Sequence, residues 1–185
     1  MPSVARILNN AGGNHATAGK AACLACGVCV ALGTQAVNFA KERPTTKTIE
    51  HVQWPDAPDL WMPYVPASKV RGGTTVYLAG VTAAPVYHHH PHRPEEFDAM
   101  PSDMEGQARA ALDNLERGLK AVGASFADIV TADRFVTDLS DQDALNRVWA
   151  EYFGEAKPTT TTVQIVRLAT DPRCLVEINA IAVID

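Results

Sequence analysis

SDMEGQARAALDNLERGLKAVG, running from Ser102 to Gly123, is the most regular segment of the 185-residue chain. Its apolar side chains recur every three or four residues, a period typical of an amphipathic helix; they are Ala108, Ala111, Leu112, Leu115, Leu119 and Val122. Ser102 and Glu105 have the spacing of a capping box, which predicts that the helix begins there. Gly123 is typical of the residue that follows a helix.

Four β-rich segments and a second helix surround this helix. The strands are predicted at Thr74–Gly80, Asp128–Leu139, Thr159–Leu168 and Cys174–Ile184, and the second helix runs from Ser140 to Gly154. The order strand, helix, strand, helix, strand, strand predicts an α+β sandwich, a mixed sheet with two helices on one face. We expect subunits to meet on the other face. The last strand is nearly all apolar, which predicts burial on both faces.

Length and charge limit the classes of function. We expect an N-terminal extension at residues 1–40, a linker or lead-in at 41–60 and one domain at 61–185, since domains usually hold about 100–200 residues. The net charge of -5, with no local cluster of Lys and Arg, argues against a nucleic-acid partner. No apolar run reaches the roughly 18 residues that a membrane span needs, so we expect no membrane partner.

The N-terminal extension leaves the compartment open. Arg6 and Lys20 precede an apolar run from Ala21 to Gly33, an order typical of a secretory signal. The polar region ahead of the run is long, however, and it has no Arg-Arg pair. We expect a cytoplasmic protein, or an exported, periplasmic one if residues 1–36 are a signal peptide. The other interpretations are a poorly ordered extension and an upstream start codon that is not used in the cell.

Three of the four cysteines lie in this extension. Cys23, Cys26 and Cys29 have the spacing of the first three ligands of a ferredoxin cluster loop. No fourth Cys-Pro follows, and Cys174 is distant in the sequence. Neutral cysteines in an apolar segment are the favoured interpretation, and we expect no cofactor.

Several strings resemble the reactive-intermediate deaminase (Rid, or YjgF) family. They include Met62–Ala67 and Val76–Gly80, the helix from Gln107, Phe135–Leu139, and the C-terminal Leu175–Ala182, LVEINAIA. The similarity extends over about residues 60–185. It implies a chorismate-mutase-like fold with a six-stranded mixed sheet, and a homotrimer with three clefts between subunits.

The resemblance also implies a reaction, and one residue departs from it. Deaminating members hydrolyse enamines and imines without metal or organic cofactor, and an arginine two residues after a proline holds the substrate carboxylate. Here Thr160 is the second residue after Pro158. Threonine has no guanidinium group that could bind a carboxylate through two charged hydrogen bonds. We therefore expect a hydrolase of a C=N compound other than a standard 2-iminoacid. The alternative is a trimer that binds or sequesters small molecules without catalysis.

Further site residues follow from the resemblance. Glu177 is expected to orient or activate the water; the alternative is an ion pair with Arg167 or Arg134. Substrate-binding positions would be Tyr64, Thr160, Asn146, Ala79 and Arg167, where Ala79 replaces a serine that many members carry. Tyr64 could instead serve only packing, and Asn146 could be a structural hydrogen bonder.

Four histidines lie in the loop after the predicted strand Thr74–Gly80, in the string YHHHPH. They are His88, His89, His90 and His92. We interpret them as residues of a lid over the cleft or of a solvated loop. One or two could contact a substrate in place of the missing arginine. No metal is expected, because adjacent residues rarely converge on one ion.

Overall fold

The computed structural model describes residues 46–60 and 62–185. The signal-like segment and Cys23, Cys26 and Cys29 lie outside the described residues. Within the described ranges, no helix is long and apolar enough to cross a membrane.

The described chain contains six strands and two helices, which confirms the α+β class. The strands are β1 (Thr48–Val52), β2 (Ala67–Arg71), β3 (Thr74–Thr82), β4 (Ile129–Val136), β5 (Thr159–Gln164) and β6 (Val176–Ile184), and the helices are α1 (Met104–Ala121) and α2 (Gln142–Phe153). Four strands form a sheet in the order β3-β6-β4-β5. In this sheet β4 and β5 are parallel, and the other neighbours are antiparallel.

The six strands do not form the single sheet that we expected. Strands β1 and β2 pair with each other as a separate two-stranded sheet, and β1 lies in the stretch interpreted as linker. The chain passes from β2 to β3 through a turn at Gly72 and Gly73. β2 reads ASKVR and is mostly exposed, so it offers little apolar surface that would hold it against the helices.

Helix α1 begins one residue later than the capping box predicted. Asp103, not Ser102, is the N-cap, and its side chain accepts a hydrogen bond from the Gly106 amide. The predicted end is confirmed, because Gly123 has a φ of 73° and the amides of Gly123 and Ala124 donate to the carbonyls of Lys120 and Leu119. This pair of bonds is a Schellman motif, which favours glycine at the left-handed position.

Both helices cover one face of the four-stranded sheet. The core between them includes Leu112 and Leu115 of α1, Trp149 of α2, and Val176 and Ile178 of β6. Burial alternates along most of β6, where Glu177, Asn179 and Ile181 are only partly buried between fully buried neighbours. Within one chain, therefore, the prediction of burial on both faces is wrong for β6. The face of the sheet that carries Glu177 is here called the open face.

A second apolar cluster fixes the long loop between β3 and α1. Ala84, Phe97, Leu168 and Cys174 are buried together, and Phe97 is only 1% exposed. Phe97 ends a short 3-10 helix, Pro94–Phe97. Strand β5 ends at Gln164, four residues before its predicted end, because Leu168 packs into this second cluster instead of extending the sheet.

Candidate functional site

Glu177 lies on the open face, against the backbone of β3. It pairs in register with Thr82 on one side and Phe135 on the other. A Cβ atom at position 80 would overlap the Oε1 atom of Glu177. The absence of a side chain at Gly80 therefore leaves room for the Glu177 carboxylate. At the same point, the register of β3 is irregular between Leu78 and Val81.

A cavity of about 220 Å³ adjoins Gly80, the residue against which the Glu177 carboxylate lies. Gly80, Thr82, Pro85, His88 and Asn114 are among the residues that line it. The Asn114 side chain donates to the carbonyls of Thr82 and Ala84, at 2.9 and 3.0 Å. These bonds tie the end of β3 to α1, so the wall of the cavity has a fixed backbone conformation.

Thr160 and Tyr64 lie near each other in the fold, away from Glu177. Thr160 is the second residue of β5, and its hydroxyl donates to the Pro158 carbonyl at 3.3 Å. Tyr64 is in a bend rather than a strand. The next residue, Val65, donates its amide to the same Pro158 carbonyl. The bend that holds Tyr64 is thus attached to the start of β5.

Arg134 organises the region beside Thr160. Its guanidinium donates to Thr162 from two nitrogens, at 3.0 and 2.7 Å, and to Asn146 at 2.9 Å. It also lies over the Trp149 ring, 4.9 Å from the centroid. Arg134 is 3% exposed, and burial lowers its pKa to about 10. The structure thus makes Asn146 a hydrogen-bond acceptor for this buried cation.

Glu177 and Thr160 face opposite sides of the sheet. Thr160 lies beside Ala132, and Thr162 beside Arg134; both of these neighbours are buried beneath the helices. Side chains in a strand alternate between faces, so Glu177, which lies beside Phe135, is on the open face. One chain therefore does not bring Glu177 and Thr160 together, and an ion pair between Glu177 and Arg134 is excluded.

The remaining predicted residues are dispersed. Arg167 is exposed beyond the end of β5, and it forms no ion pair or hydrogen bond with another described residue. Ala79 is exposed at the irregular part of β3. His89 contacts Glu96 through both its amide and its Nδ1 atom. The rings of His88, His90 and His92 cluster with one another.

Two site features had no clear signal in the sequence. From the sequence, Arg134 was considered only as an ion-pair partner of Glu177. A charged residue inside the β-rich run DIVTADRFV is unusual, however, and this position was a signal for a buried polar network. The role of Gly80 depends on a side chain nearly 100 residues later, so no local pattern could reveal it.

Comparison with known proteins identifies the family that this fold and site define. The family model described as Endoribonuclease L-PSP matches residues 55–184. The chain belongs to this family, which is the Rid (YjgF) family.

Individual relatives agree with the family assignment. The chain is 33% identical over 127 residues to a RutC family protein of Pyrococcus horikoshii, covering 69% of this chain and 91% of the relative. It is 32% identical over 134 residues to a protein of Dermatophagoides farinae named 2-iminobutanoate/2-iminopropanoate deaminase, covering 72% and 95%. A solved Rid family structure from Yersinia pestis shares the fold, with a TM-score of 0.59 at 22% identity over 74% of this chain and 98% of that one.

Proposed function

We propose that this protein is a cofactor-independent hydrolase of reactive imines or enamines, acting in clefts between the subunits of a homotrimer. The observation that carries the proposal is the position of the Glu177 carboxylate against Gly80, a residue that lines a cavity of about 220 Å³. A carboxylate this near to a cavity can accept a proton from a water that it also orients. The relative named as an iminobutanoate and iminopropanoate deaminase favours this chemistry.

In the proposed reaction, water adds to the carbon of the C=N bond while Glu177 accepts one of its protons. The nitrogen takes up a proton, and the resulting carbinolamine expels ammonia to leave a ketone. An imine and one water thus give a ketone and one ammonia. An enamine enters the same route after protonation at carbon. Glu177 is the catalytic residue of this scheme, and holding the water near the carbon is its main contribution.

The opposite orientation of Glu177 and Thr160 supports a cleft shared by two copies of the chain. β5 is an edge strand of the four-stranded sheet, and Thr160 and the Tyr64 bend lie at its start. The open face carries exposed apolar side chains, among them Tyr77, which is 78% exposed. If a neighbour places its β5 edge over this open face, one cleft receives Glu177 from one copy and Thr160 from the other.

We infer the substrate class from the side chains near Thr160. Threonine can donate one hydrogen bond but cannot form a bidentate ion pair with a carboxylate. Arg134 is on the same face, but its guanidinium is buried and held by Asn146 and Thr162. Its guanidinium is therefore not available for a bidentate ion pair with a substrate carboxylate. We therefore propose a substrate without the α-carboxylate of a standard 2-iminoacid.

Ammonia release tests the proposal. Imines generated enzymatically in situ, with and without an α-carboxylate, are supplied to the protein and to the Glu177→Gln variant. We expect faster release from the imines that lack the carboxylate, and a loss of at least about 100-fold in Glu177→Gln because the proton acceptor is removed. Glu116→Gln, an exposed carboxylate of α1, is the matched control and should keep full activity.

Two further outcomes separate the alternatives. A Thr160→Arg variant should gain activity on 2-iminoacids; fast 2-iminoacid turnover by the unaltered protein would contradict the proposed substrate class. If no imine is hydrolysed while small molecules raise the melting temperature, the protein is a binding protein. Incubation with RNA tests for the endoribonuclease activity that the family description names. The net charge of -5 disfavours binding to a phosphate backbone, and RNA cleavage would contradict our assignment.

A further inference from the structure

The histidine loop brings three imidazole rings together. The ring centroids of His88, His90 and His92 form a triangle with sides of 4.9, 4.9 and 4.7 Å. One nitrogen atom from each ring lies within 4.8 Å of the other two. From the sequence we expected no metal, because adjacent histidines rarely converge. Here the three residues alternate along the chain, and the intervening His89 turns away to Glu96.

We propose that His88, His90 and His92 form a binding site for a divalent transition-metal ion of the Zn²⁺ type. Zinc–nitrogen bonds are about 2.0–2.1 Å long, so nitrogens in a tetrahedral site lie roughly 3.3 Å apart. Each of the three nitrogens needs to move inward by less than about 1 Å to reach this spacing. Small rotations of side chains on a loop are sufficient for this.

His88 is already in the form that a metal requires. Its Nδ1 atom lies 2.7 Å from the Pro85 carbonyl oxygen. A carbonyl only accepts, so Nδ1 carries the proton and the lone pair of the neutral ring is on Nε2. Metal-binding histidines are commonly oriented by such a bond from the second ring nitrogen.

His92 supplies an independent observation. Its Nε2 atom is buried and has no hydrogen-bond partner among the described residues. Burying a polar atom without a partner costs free energy, and a bound cation would satisfy the lone pair at this atom. The ring is not free to turn to solvent easily, because it packs against Phe97, 5.6 Å between centroids.

The surroundings hold two of the three rings in place. Phe97, which also contacts His88 at 5.5 Å, belongs to the buried cluster beneath the loop. His90 is exposed and can complete the site from the solvent side. Three imidazoles without a thiolate suit Zn²⁺, Co²⁺, Ni²⁺ or Cu²⁺ rather than Mg²⁺ or Ca²⁺. Three protein ligands also leave a fourth position for water or another ligand.

The histidine site adjoins the cavity next to Gly80, and it does not depend on the proposed reaction. His88 and Gly80 both line this cavity. A metal ion would fix the loop at the cavity mouth by joining His88 and His92, which Phe97 anchors, to the exposed His90. Metal binding is measured without hydrolysis, so its outcome is separate from that of the proposed function.

Isothermal titration calorimetry of the full-length, tag-free protein with Zn²⁺ tests the site. We expect one His-dependent equivalent per chain, and at least a tenfold loss of affinity in His90→Ala and in His92→Ala. His89→Ala is the matched control, since His89 belongs to the same loop but faces Glu96, and its affinity should not change. Equal losses in His89→Ala and His90→Ala, or no loss in His90→Ala, would overturn the proposal.

Co²⁺ spectroscopy distinguishes imidazole ligands from thiolate ligands. Cobalt bound by imidazoles gives visible d–d bands, whereas binding to Cys23, Cys26 and Cys29 adds a near-ultraviolet thiolate charge-transfer band. We expect the visible bands in the unaltered protein and their loss in His90→Ala, whose metal-free melting temperature should match that of the unaltered protein because His90 is exposed. If the spectrum shows thiolate bands, and neither these bands nor the visible bands weaken in His90→Ala, cobalt is bound by the cysteines and the proposal is wrong.

Discussion

The carboxylate of Glu177 occupies the space that a Cβ atom at position 80 would need. Two residues almost 100 positions apart are therefore linked by one close approach. Because the contacting atom is the end of a flexible side chain, a larger residue at position 80 would displace the carboxylate without breaking the sheet. This relationship allows the position of Glu177 to be tested separately from its charge.

Gly80→Ala should impair catalysis with little effect on folding. The added methyl group moves the Glu177 carboxylate, and misplacement by about 1 Å can cost roughly 100-fold in rate. We expect ammonia release to fall at least tenfold, and the free energy of unfolding to change by less than about 1 kcal/mol. Urea denaturation and the ammonia assay give both values; unchanged activity would contradict the importance of this placement.

Gly118→Ala should stabilise the protein and leave activity unchanged. Gly118 lies inside α1, where a Cβ atom would meet the Leu78 Cδ2 atom at 3.5 Å, an ordinary contact. Alanine in place of glycine inside a helix stabilises by up to about 1 kcal/mol. Thermal and urea unfolding should show a gain of this size. A loss of stability would mean that α1 packs too tightly on β3 to accept a methyl group.

Arg134→Met should change the dependence of stability on alkaline pH. The folded-state pKa of Arg134 is about 10, below its ordinary value of 12.5. Between these values the unfolded chain binds more protons, so Arg134 makes the free energy of unfolding rise with pH. Tyr152 acts in the opposite direction, because burial, followed by its hydrogen bond to Asp113, raises its pKa to about 12. The variant should lose stability more steeply above pH 10.

The control for Arg134 is Arg147→Met, since Arg147 is an exposed arginine of α2. Its curve of stability against pH should run parallel to that of the unaltered protein. At pH 7 we expect Arg134→Met to change the free energy of unfolding by no more than about 2 kcal/mol, because relief of the buried charge offsets the lost hydrogen bonds. Parallel curves for both variants would show that burial does not lower the pKa of Arg134 into this pH range.

Lys47→Met should destabilise the protein more at neutral pH than in acid. Lys47 contacts Asp128 and also donates to the Val183 carbonyl at 3.1 Å. Burial tends to raise the pKa of Asp128, but the hydrogen bonds from Lys47 and Ser125 outweigh it and hold the pKa below the ordinary 3.8. The contribution is therefore present above pH 3.8 and is lost as the pH falls through the folded-state value. We expect a loss of about 1 kcal/mol at pH 7.

Lys69→Met is the matched control for the Lys47 variant. The Lys69–Glu50 pair is solvent-exposed, with 60% and 64% of the side chains accessible, and exposed pairs contribute little. Urea denaturation from pH 7 to pH 2 should therefore separate the two lysines. Equal effects of both substitutions would contradict a specific attachment of the chain before β1 to the end of β6.

The oligomer can be tested through the open face. Sedimentation analysis should give three times the mass of one chain. Tyr77→Glu places a charge at an exposed position of β3 on this face, and burial of that charge between subunits would be costly. We expect a shift toward monomer together with loss of ammonia release. A trimer that persists in Tyr77→Glu would place the interface elsewhere.

Local sequence pattern was sufficient to predict several parts of the fold. The apolar period from Ala108 to Leu119 and the glycine at position 123 defined α1, and the strings LVEINAIA and FVTDL identified the family. These features could be predicted because helix period, capping and turn residues act over a few positions. Even there, the N-cap was misplaced by one residue, since Ser102 and Asp103 are both good caps.

Which distant residues meet depended on the tertiary structure. Register placed Glu177 and Thr160 on opposite faces of one sheet and buried Arg134 beneath α2. The convergence of His88, His90 and His92 depended on Phe97 and Pro85 as neighbours. Contacts between distant segments depend on packing and on backbone path, which the composition of each segment does not specify.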